Sequence, residues 1–573
     1  MNKKNQKYIF ITGGVVSSLG KGLLSASLGA LLEAQGYKIS LIKCDPYLNV
    51  DPGTMSPFQH GEVYVTQDGA ETDMDLGHYE RFTNAPLRKE NSITTGQIYE
   101  SVILKERRGV YLGNTVQVIP HITDEIKSRI HAAAGSAEVV IVEIGGTVGD
   151  IEGLPFIEAI RQMRVDMGFD NTVFVHLTLV PYLAASGEVK SKPTQHSVKA
   201  LREVGIQPDF LICRSEKVIS DELKKKIALF CSVKEENVIA APDVKTIYEL
   251  PLLLQEENFD KKLINRLSFE SRNSKMDVWK NIVSTIRRPD HQVSIGLVGK
   301  YVELKDSYQS IYEALVHGGV DNKSRVSVRY IDSETLSSQN GIANLQGLDG
   351  VLIPGGFGTR GVEGKIAAVR YVREHNIPFF GICFGMQMAV LEFARHVCGI
   401  KDAISGEFES SSASGSVKNK VIDYMDGQSG DRVKGASMRL GSYPCYLKKN
   451  SKAYSIYKQD CVQERHRHRF EFNNQFRTLL EEKGMVFSGL DKEGELVEII
   501  EIPKHPWFLA VQFHPEFQSK PLKPHPLFSD FIAAALRIAQ KKKVVKGYNK
   551  TGTSLSPSPS IKEMADTQNR TRP

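Results

Sequence analysis

No part of the chain constrains its fold more than Tyr8–Thr12 and the ten residues after it, Gly13-Gly14-Val15-Val16-Ser17-Ser18-Leu19-Gly20-Lys21-Gly22. A short apolar run breaks at a glycine-rich turn, and Leu24, Leu28, Leu31 and Leu32 then recur at helical spacing. Gly36 stops that helix, and Ile39–Lys43 is a second apolar run. Strand, helix and strand in this order form a βαβ unit, which implies a parallel sheet. Runs at Val139–Ile144, Thr172–Leu177 and Phe210–Cys213 continue the alternation. A fresh start, Val293–Val298, again ends in glycine and is followed by Val326–Ile331, Val351–Pro354 and Pro378–Ile382. At 573 residues the chain is too long for one core, and two domains of roughly 250 residues are expected. The fold class predicted is α/β with two doubly wound domains, residues 1–270 and 293–540. The polar Glu270–Asp277 and the RRPDHQ of Arg287–Gln292 mark a linker over 271–292. Ser410–Gly430, rich in Ser, Gly and Asp, reads as a mobile loop, and residues 541–573 as a disordered basic tail.

The formal charge of +6 resides in that tail, where residues 541–573 carry eight basic and two acidic side chains. The remaining 65 basic and 65 acidic residues balance, so a nucleic-acid-binding body is not expected. No run approaches the roughly 20 apolar residues of a membrane span, and the four-residue apolar run before Gly13 is too short for a signal peptide. The seven cysteines are odd in number, scattered and free of CxxC pairs. That pattern points to reduced thiols in a cytoplasmic protein.

The glycine-rich turn between strand and helix is suited to phosphate, because backbone N–H groups and the helix dipole converge there. Lys21 supplies a movable positive charge. The loop departs from the usual P-loop: five residues separate Gly14 from Gly20, and Gly22 stands where a Ser or Thr normally holds magnesium. The competing reading is a plain glycine turn with an exposed lysine. Two acids are candidates for the missing metal ligand. Glu143 sits at the carboxyl edge of Val139–Ile144, where ligands of open α/β sheets bind, and Asp75 lies in the carboxylate-rich Glu71–Asp75, expected to be a loop. Two carboxylates with phosphate oxygens and water suit Mg²⁺. Solvated acids or helix caps are the alternative.

In the second half, Phe379–Ile382 runs into Gly381-Ile382-Cys383-Phe384-Gly385, a G-x-C-x-G elbow. Glycines at ±2 allow the tight turn that exposes a nucleophile and aims N–H groups at an oxyanion. His514 and Glu516, 131 residues downstream in Phe513-His514-Pro515-Glu516, are expected to supply the base and the group that orients it. In an extended chain these two would face the same side. This constellation resembles the class I glutamine amidotransferases. The other six cysteines read as structural.

Both halves together resemble the CTP synthase family. The N-terminal resemblance spans roughly residues 7–268 through Thr12–Gly22, Lys43–Pro57, Gln59–Val63, Asp68–Arg81, Glu143–Leu154 and Gly187–Ser197, and the amidotransferase resemblance spans about 293–538. It implies an N-terminal P-loop-like ATP-dependent amidoligase (synthase) domain and a C-terminal type 1 glutamine amidotransferase domain. The implied activity is a C–N-forming ligase: UTP, ATP, L-glutamine and water give CTP, ADP, phosphate and L-glutamate. By residue-wise match, Ser18, Leu19, Gly20, Lys21, Gly22 and Leu23 would bind ATP phosphates, with Asp243 and Val244 at the adenine. Asp75, beside the ATP, and Glu143 would hold Mg²⁺, and Lys43 matches another lysine of the ligase site. Ser17, Lys190, Ser191, Lys192, Pro193, Thr194, Gln195 and Lys226 match UTP positions; Asp150, Ile151 and Glu152 match the segment that recognises the cytosine of inhibitory CTP. Gly356, Phe384, Gly385, Met386, Gln387, Glu407 and Arg469 match glutamine-binding positions. The family is a cytoplasmic homotetramer of pyrimidine biosynthesis, activated by GTP and inhibited by CTP. Two other classes compete. A cobyrinate amidase shares the deviant loop and the elbow, but GEVKSKPTQHS (Gly187–Ser197) favours a nucleotide acceptor. A non-catalytic scaffold or partition-type ATPase has no need of Cys383, His514 and Glu516 together.

Overall fold

The computed structural model describes residues 6–270, 272–408, 419–424 and 438–551; for Gln339 and residues 544–551 only the backbone is described. The first half is built on a seven-stranded sheet. Its order from edge to edge is Val238–Pro242, Phe210–Ser215, Thr172–Leu179, Lys7–Gly13, Val139–Ile144, Ile39–Asp45 and Ser92–Thr94. Every neighbouring pair is parallel. Both faces are covered, which is why the strands read as unbroken apolar runs. Ile9, Ile11, Val139 and Ile141 join the core under one helical layer, and Tyr8, Phe10, Val140 and Val142 join the core on the opposite face.

The second half carries a nine-stranded sheet in the order Ser324–Asp332, His291–Gly299, Gly350–Ile353, Phe379–Ile382, Phe508–Val511, Val497–Glu501, Val486–Leu490, Arg439–Leu447 and Cys461–His468. The first five strands are parallel and the last four antiparallel to their neighbours. All nine expected strands appear, within two residues at each end. The architecture is α/β with parallel sheet in both halves, as expected.

Three expectations change. Within the expected linker, Asp277–Arg287 is a helix whose Trp279, Ile282 and Val283 are buried in or beside the first-half core. The spacing of those three residues is helical, and burying an indole against Phe82, with ring centroids 5.2 Å apart, outweighs the polarity of the flanks. Second, the closing helix runs Pro526–Thr551, past the expected boundary at 540. Lys542 fixes it there, donating to Leu348 O at 2.6 Å and pairing with Asp349 at 2.9 Å. The remainder of the expected tail, 552–573, lies outside the described residues. Third, of the expected mobile loop, Lys420–Tyr424 is a strand paired with Phe470–Phe472, while 410–418 and 425–430 lie outside the described residues.

The halves meet through buried polar groups as well as apolar ones. Tyr248 O–H lies 2.6 Å from both Glu313 Oε2 and His317 Nε2. Arg81 donates to Ser310 Oγ at 3.1 Å, and Ser310 N donates to Glu62 Oε2 at 2.8 Å.

Candidate active sites

Parallel register builds the first site. It sets Lys43 directly beside Glu143 and Ile11 on its other side, so the strands' carboxyl ends deliver their polar residues to one edge. The Lys43 ammonium lies 3.0 Å from Glu143 and 3.6 Å from Asp45, and also contacts Asp75. Tyr79 O–H and Ser25 O–H, the latter at 2.9 Å, both donate to Glu143 Oε2. Asp75 is not a loop residue. Glu71–Thr72 is a short strand, and Asp75 stands in the first turn of the helix Met74–Phe82, which Asp73 caps by accepting from Asp75 N at 3.0 Å. The acid that reads as a cap is therefore Asp73, leaving Asp75 free to face the loop.

That placement explains Gly22. A Cβ added there would lie 1.8 Å from Asp75 Oδ1, so the Asp75 carboxylate fills the space a P-loop Ser or Thr side chain would need. Loop strain is concentrated nearby, with Val15 at φ 80° and Ser18 at φ 56°, while Gly20 takes φ 100° at no steric cost. Lys21 begins the helix, and its ammonium donates to Gly146 O at 2.6 Å. Burial lowers the Lys21 pKa, with Lys43 adding to the effect and Glu143 opposing it.

Among the described residues no three protein donors form a metal cage. Magnesium does not require one, since it takes one or two carboxylates plus phosphate and water. Asp45, Asp75 and Glu143 converge on Lys43 with Lys21 close by, and the buried Asp45 Oδ2 has no hydrogen-bond partner, so the cluster offers carboxylate oxygens to a divalent cation. Burial opposes ionisation of Asp75, yet Lys43 and His78 hold its carboxyl below the ordinary range. Burial pushes Glu143 up, Asp75 adding to this and Lys43 opposing it. The donor set fits Mg²⁺ held by Asp75 and Glu143.

The expected uridine residues flank this edge. Lys192 opens the helix Lys192–Glu203, with Pro193 in its first turn; Thr194 donates to Leu179 O at 3.0 Å and Gln195 to Ser191 Oγ at 3.1 Å. A cavity of about 290 Å³ lies along the helix, with Lys192, Gln195 and Phe230 in its wall. Lys190 pairs with Glu188, and Lys226 lies close enough to Glu188 to help depress its pKa. Asp150, Ile151 and Glu152 are exposed, in the turn before the helix Leu154–Met167. Ser17 is exposed on the loop, whereas Leu19 is buried beneath it. No described hydrogen bond joins Lys190, Lys192 or Lys226 to the phosphate loop. Asp243 and Val244 follow the edge strand Val238–Pro242, and Asp243 N donates to Ser215 O at 3.1 Å.

Two connecting residues escape the motif reading. Arg214 donates to Leu19 O at 2.7 Å and to Asp243 at 3.1 Å, tying the phosphate loop to the expected adenine position. Its place at the carboxyl end of Phe210–Ser215 was a usable signal. His176, buried, bridges Thr12 at 2.9 Å and Ser197 at 2.7 Å. It sits inside an apolar strand, so no sequence pattern marks it.

The second site is the elbow. Cys383 takes φ 50° and ψ −102° between Phe379–Ile382 and the helix Phe384–His396, held by its N–H donating to Val511 O at 2.7 Å. Both flanking glycines are required. A Cβ on Gly381 would lie 2.9 Å from the Gly385 backbone, and one on Gly385 would lie 2.1 Å from Ile353 O. His514 Nδ1 lies 2.7 Å from Glu516 Oε1. The pair forms in a tight turn rather than an extended run, because Pro515 begins the 3₁₀ turn Pro515–Gln518. His514 Nε2 is buried and has no hydrogen-bond partner apart from the neighbouring Cys383 thiol. Gly355 makes room for the ring, since a Cβ there would lie 2.6 Å from His514 Cε1. Burial would lower the His514 pKa, but Glu516 and Cys383 outweigh it and push it up to about 10.

Of the expected glutamine residues, Gly356 lies against Phe384, a Cβ there meeting the ring at 3.9 Å. Glu407 accepts from Gly358 N at 2.6 Å, and Arg469 acts on its charge. Gln387 donates to Phe470 O at 3.1 Å, and Met386 is buried. Gln512, unmarked in the sequence, donates to Cys383 Sγ at 3.6 Å. Lys365 is buried with its ammonium 4.7 Å from the Phe384 ring centre, and burial lowers its pKa to about 7.

No helix among the described residues is long and apolar enough to cross a membrane. A family model described as the CTP synthase N-terminus matches residues 7–269, and the class-I glutamine amidotransferase model matches 303–534. CTP synthase of Bdellovibrio bacteriovorus is 62% identical over 532 residues, covering 93% of this chain and 99% of its own length. That of Geobacter metallireducens is 59% identical over 531 residues, covering 92% and 98%. Among solved structures, the glutaminase domain of Trypanosoma brucei CTPS with bound acivicin is 41% identical, covering 43% of this chain and 94% of its own, with a TM-score of 0.40. With both family models matched in order and relatives of this identity aligned over almost the whole chain, the chain belongs to the CTP synthase family of enzymes.

Proposed function

We propose that this chain aminates UTP to CTP, with ATP as activating co-substrate and glutamine as nitrogen donor. The carrying observation is that one chain holds both the Cys383–His514–Glu516 constellation and the Lys21–Lys43–Asp75–Glu143 cluster, in halves joined by a buried polar interface. Cys383 attacks the glutamine amide carbon after giving its proton to His514, which returns it to the leaving ammonia. Water then releases glutamate from the sulfur, with Glu516 holding the imidazole in place. In the first half, the uracil 4-oxygen takes the γ-phosphoryl group of ATP, and ammonia displaces phosphate at that carbon. Ser18–Leu23 hold the ATP phosphates, and Asp243 and Val244 face the adenine. Lys21 and Lys43 stabilise the charge that spreads over the transferring phosphoryl group. Magnesium bound by Asp75 and Glu143 would neutralise phosphate charge there.

Ser17, Lys190–Gln195 and Lys226 serve the UTP triphosphate and base. Asp150, Ile151 and Glu152 serve cytosine recognition in CTP feedback. On the glutaminase side, Gly356, Phe384–Gln387, Glu407 and Arg469 hold glutamine. GTP activation, a homotetramer and a cytoplasmic location complete the reading; seven free cysteines accord with the last. A product assay with UTP, ATP, Mg²⁺ and glutamine, each omitted in turn, tests it. CTP should require the first three and either glutamine or added ammonium. CTP formation without ATP, or none from either nitrogen source, would overturn it.

A further inference from the structure

The strand Cys461–His468 touches both sites, and alternate residues divide the work. Its backbone serves the glutaminase: Arg465 O accepts from His514 N at 2.7 Å, and Arg467 O accepts from Cys383 Sγ at 3.8 Å. The side chains of the same two residues cross into the ligase half. The Arg465 guanidinium grips Glu80 at 2.5 and 2.9 Å and donates to Tyr64 O–H at 3.0 Å. Arg467 pairs with Glu71 at 2.8 Å and donates to Gly53 O at 3.2 Å. Glu71 and Glu80 lie on either side of Asp75, four residues before it and five after, and Glu80 shares its helix. Gly53 must be glycine for this contact, because a Cβ there would sit 2.2 Å from Glu71 Oε2.

The residues between point the other way and hold the strand from behind. His466 Nδ1 lies 2.9 Å from His468 Nε2. Glu498 lies 3.4 Å from His466 and 2.7 Å from Arg439, and Glu471 lies 3.4 Å from His468 and 3.5 Å from Arg439. All five side chains are buried. Burial pushes Glu498 up to about 7, with Arg439 opposing. A strand clamped on one face has little freedom to slide. The Glu71–Glu80 segment is thus tied through one strand to the carbonyls that meet Cys383 Sγ and His514 N.

We propose that Arg465 and Arg467 are positioning residues which couple the glutaminase nucleophile and base to the segment bearing Asp75. The inference rests on the functional reading above, since it assigns the two ends their chemistry. Arg467 is the better probe, because its Glu71 partner belongs to neither set of reacting groups. In the full-length enzyme, Arg467→Lys and Glu71→Gln are each expected to lower kcat for glutamine hydrolysis about tenfold, within the usual range of coupling between sites. The KM for glutamine should stay within about twofold, and so should CTP formation from ammonium chloride. The double variant should fall no further than either single one, as expected for partners in one interaction. Glu71→Gln is nearly isosteric and lies in the other half, so it carries the test should Arg467→Lys fold poorly. Losses that add in the double variant would overturn the proposal, as would a parallel fall with both nitrogen sources or hydrolysis unchanged in both single variants. If the unaltered enzyme makes no CTP from ammonium, the functional reading fails, while the hydrolysis measurements still decide the coupling.

Discussion

Replacing Gly22 by alanine should abolish ligation while sparing glutamine hydrolysis, although alanine is the better helix former by about 1 kcal/mol. The added Cβ would lie 1.8 Å from Asp75 Oδ1 and 2.5 Å from its Cγ. Real Cβ contacts essentially stop at 3.0 Å, so the carboxylate must retreat by at least 1.2 Å. Any retreat that breaks the contact with Lys43 would cost about 1.5–3 kcal/mol, the contribution of a hydrogen bond to a charged group. The larger effect is on catalysis. A displacement of about 1 Å in a group that must meet phosphate or metal costs about 100-fold in rate. Ammonia-dependent CTP formation should therefore fall about 100-fold in Gly22→Ala, and further in Gly22→Ser, which restores the ordinary P-loop residue. Glutamine hydrolysis measured without nucleotides should stay within about twofold, because the clash falls on the Asp75 side chain and not on Glu71 or Glu80, the residues that Arg467 and Arg465 hold. Ligation within about twofold of the unaltered rate in Gly22→Ala would refute the argument that Asp75 occupies that space for a purpose.

Cys383→Ala should remove glutamine-dependent CTP synthesis and leave synthesis from ammonium largely intact; loss of both in folded protein would break the division between halves. Lys21→Ala should lower CTP formation from either nitrogen source by at least about 100-fold, since charge stabilisation dominates phosphoryl transfer, and near-normal ammonium-dependent turnover would displace the ATP site from this loop. Glu152→Ala should weaken inhibition by CTP while leaving the apparent affinity for UTP within about twofold, whereas Lys192→Ala should weaken both, because the triphosphate is the shared feature; titrating both nucleotides in a steady-state assay separates the two. Lys542→Ala should leave ligation unchanged and lower the Tm by about 1–3 °C, as expected for a half-exposed ion pair with Asp349; an unchanged Tm would mean the helix end is held elsewhere.

Local pattern settled most of the parallel strands of both sheets and the turn that carries Cys383. Each βα start was legible because apolar runs closing on glycine are a short-range signal. The elbow was legible because a strand-to-helix turn needs small residues at fixed offsets. His514 and Glu516 do lie 2.7 Å apart, but in a turn that Pro515 begins and not through the extended-chain alternation expected of their spacing. The helix Asp277–Arg287 was also there to be read in Trp279, Ile282 and Val283, but the polar flanks masked it. What sequence could not decide is everything that depends on register and on one half meeting the other. Lys43 and Glu143 lie 100 residues apart and meet only because two parallel strands align them. The meaning of Gly22 appears only when the Met74–Phe82 helix brings Asp75 against it. Arg465 and Arg467 look like two more charges in an arginine-rich strand until Glu80 and Glu71 arrive from almost 400 residues away. Contacts at such separations are set by how whole sheets and helices pack, and no window of local sequence contains that information.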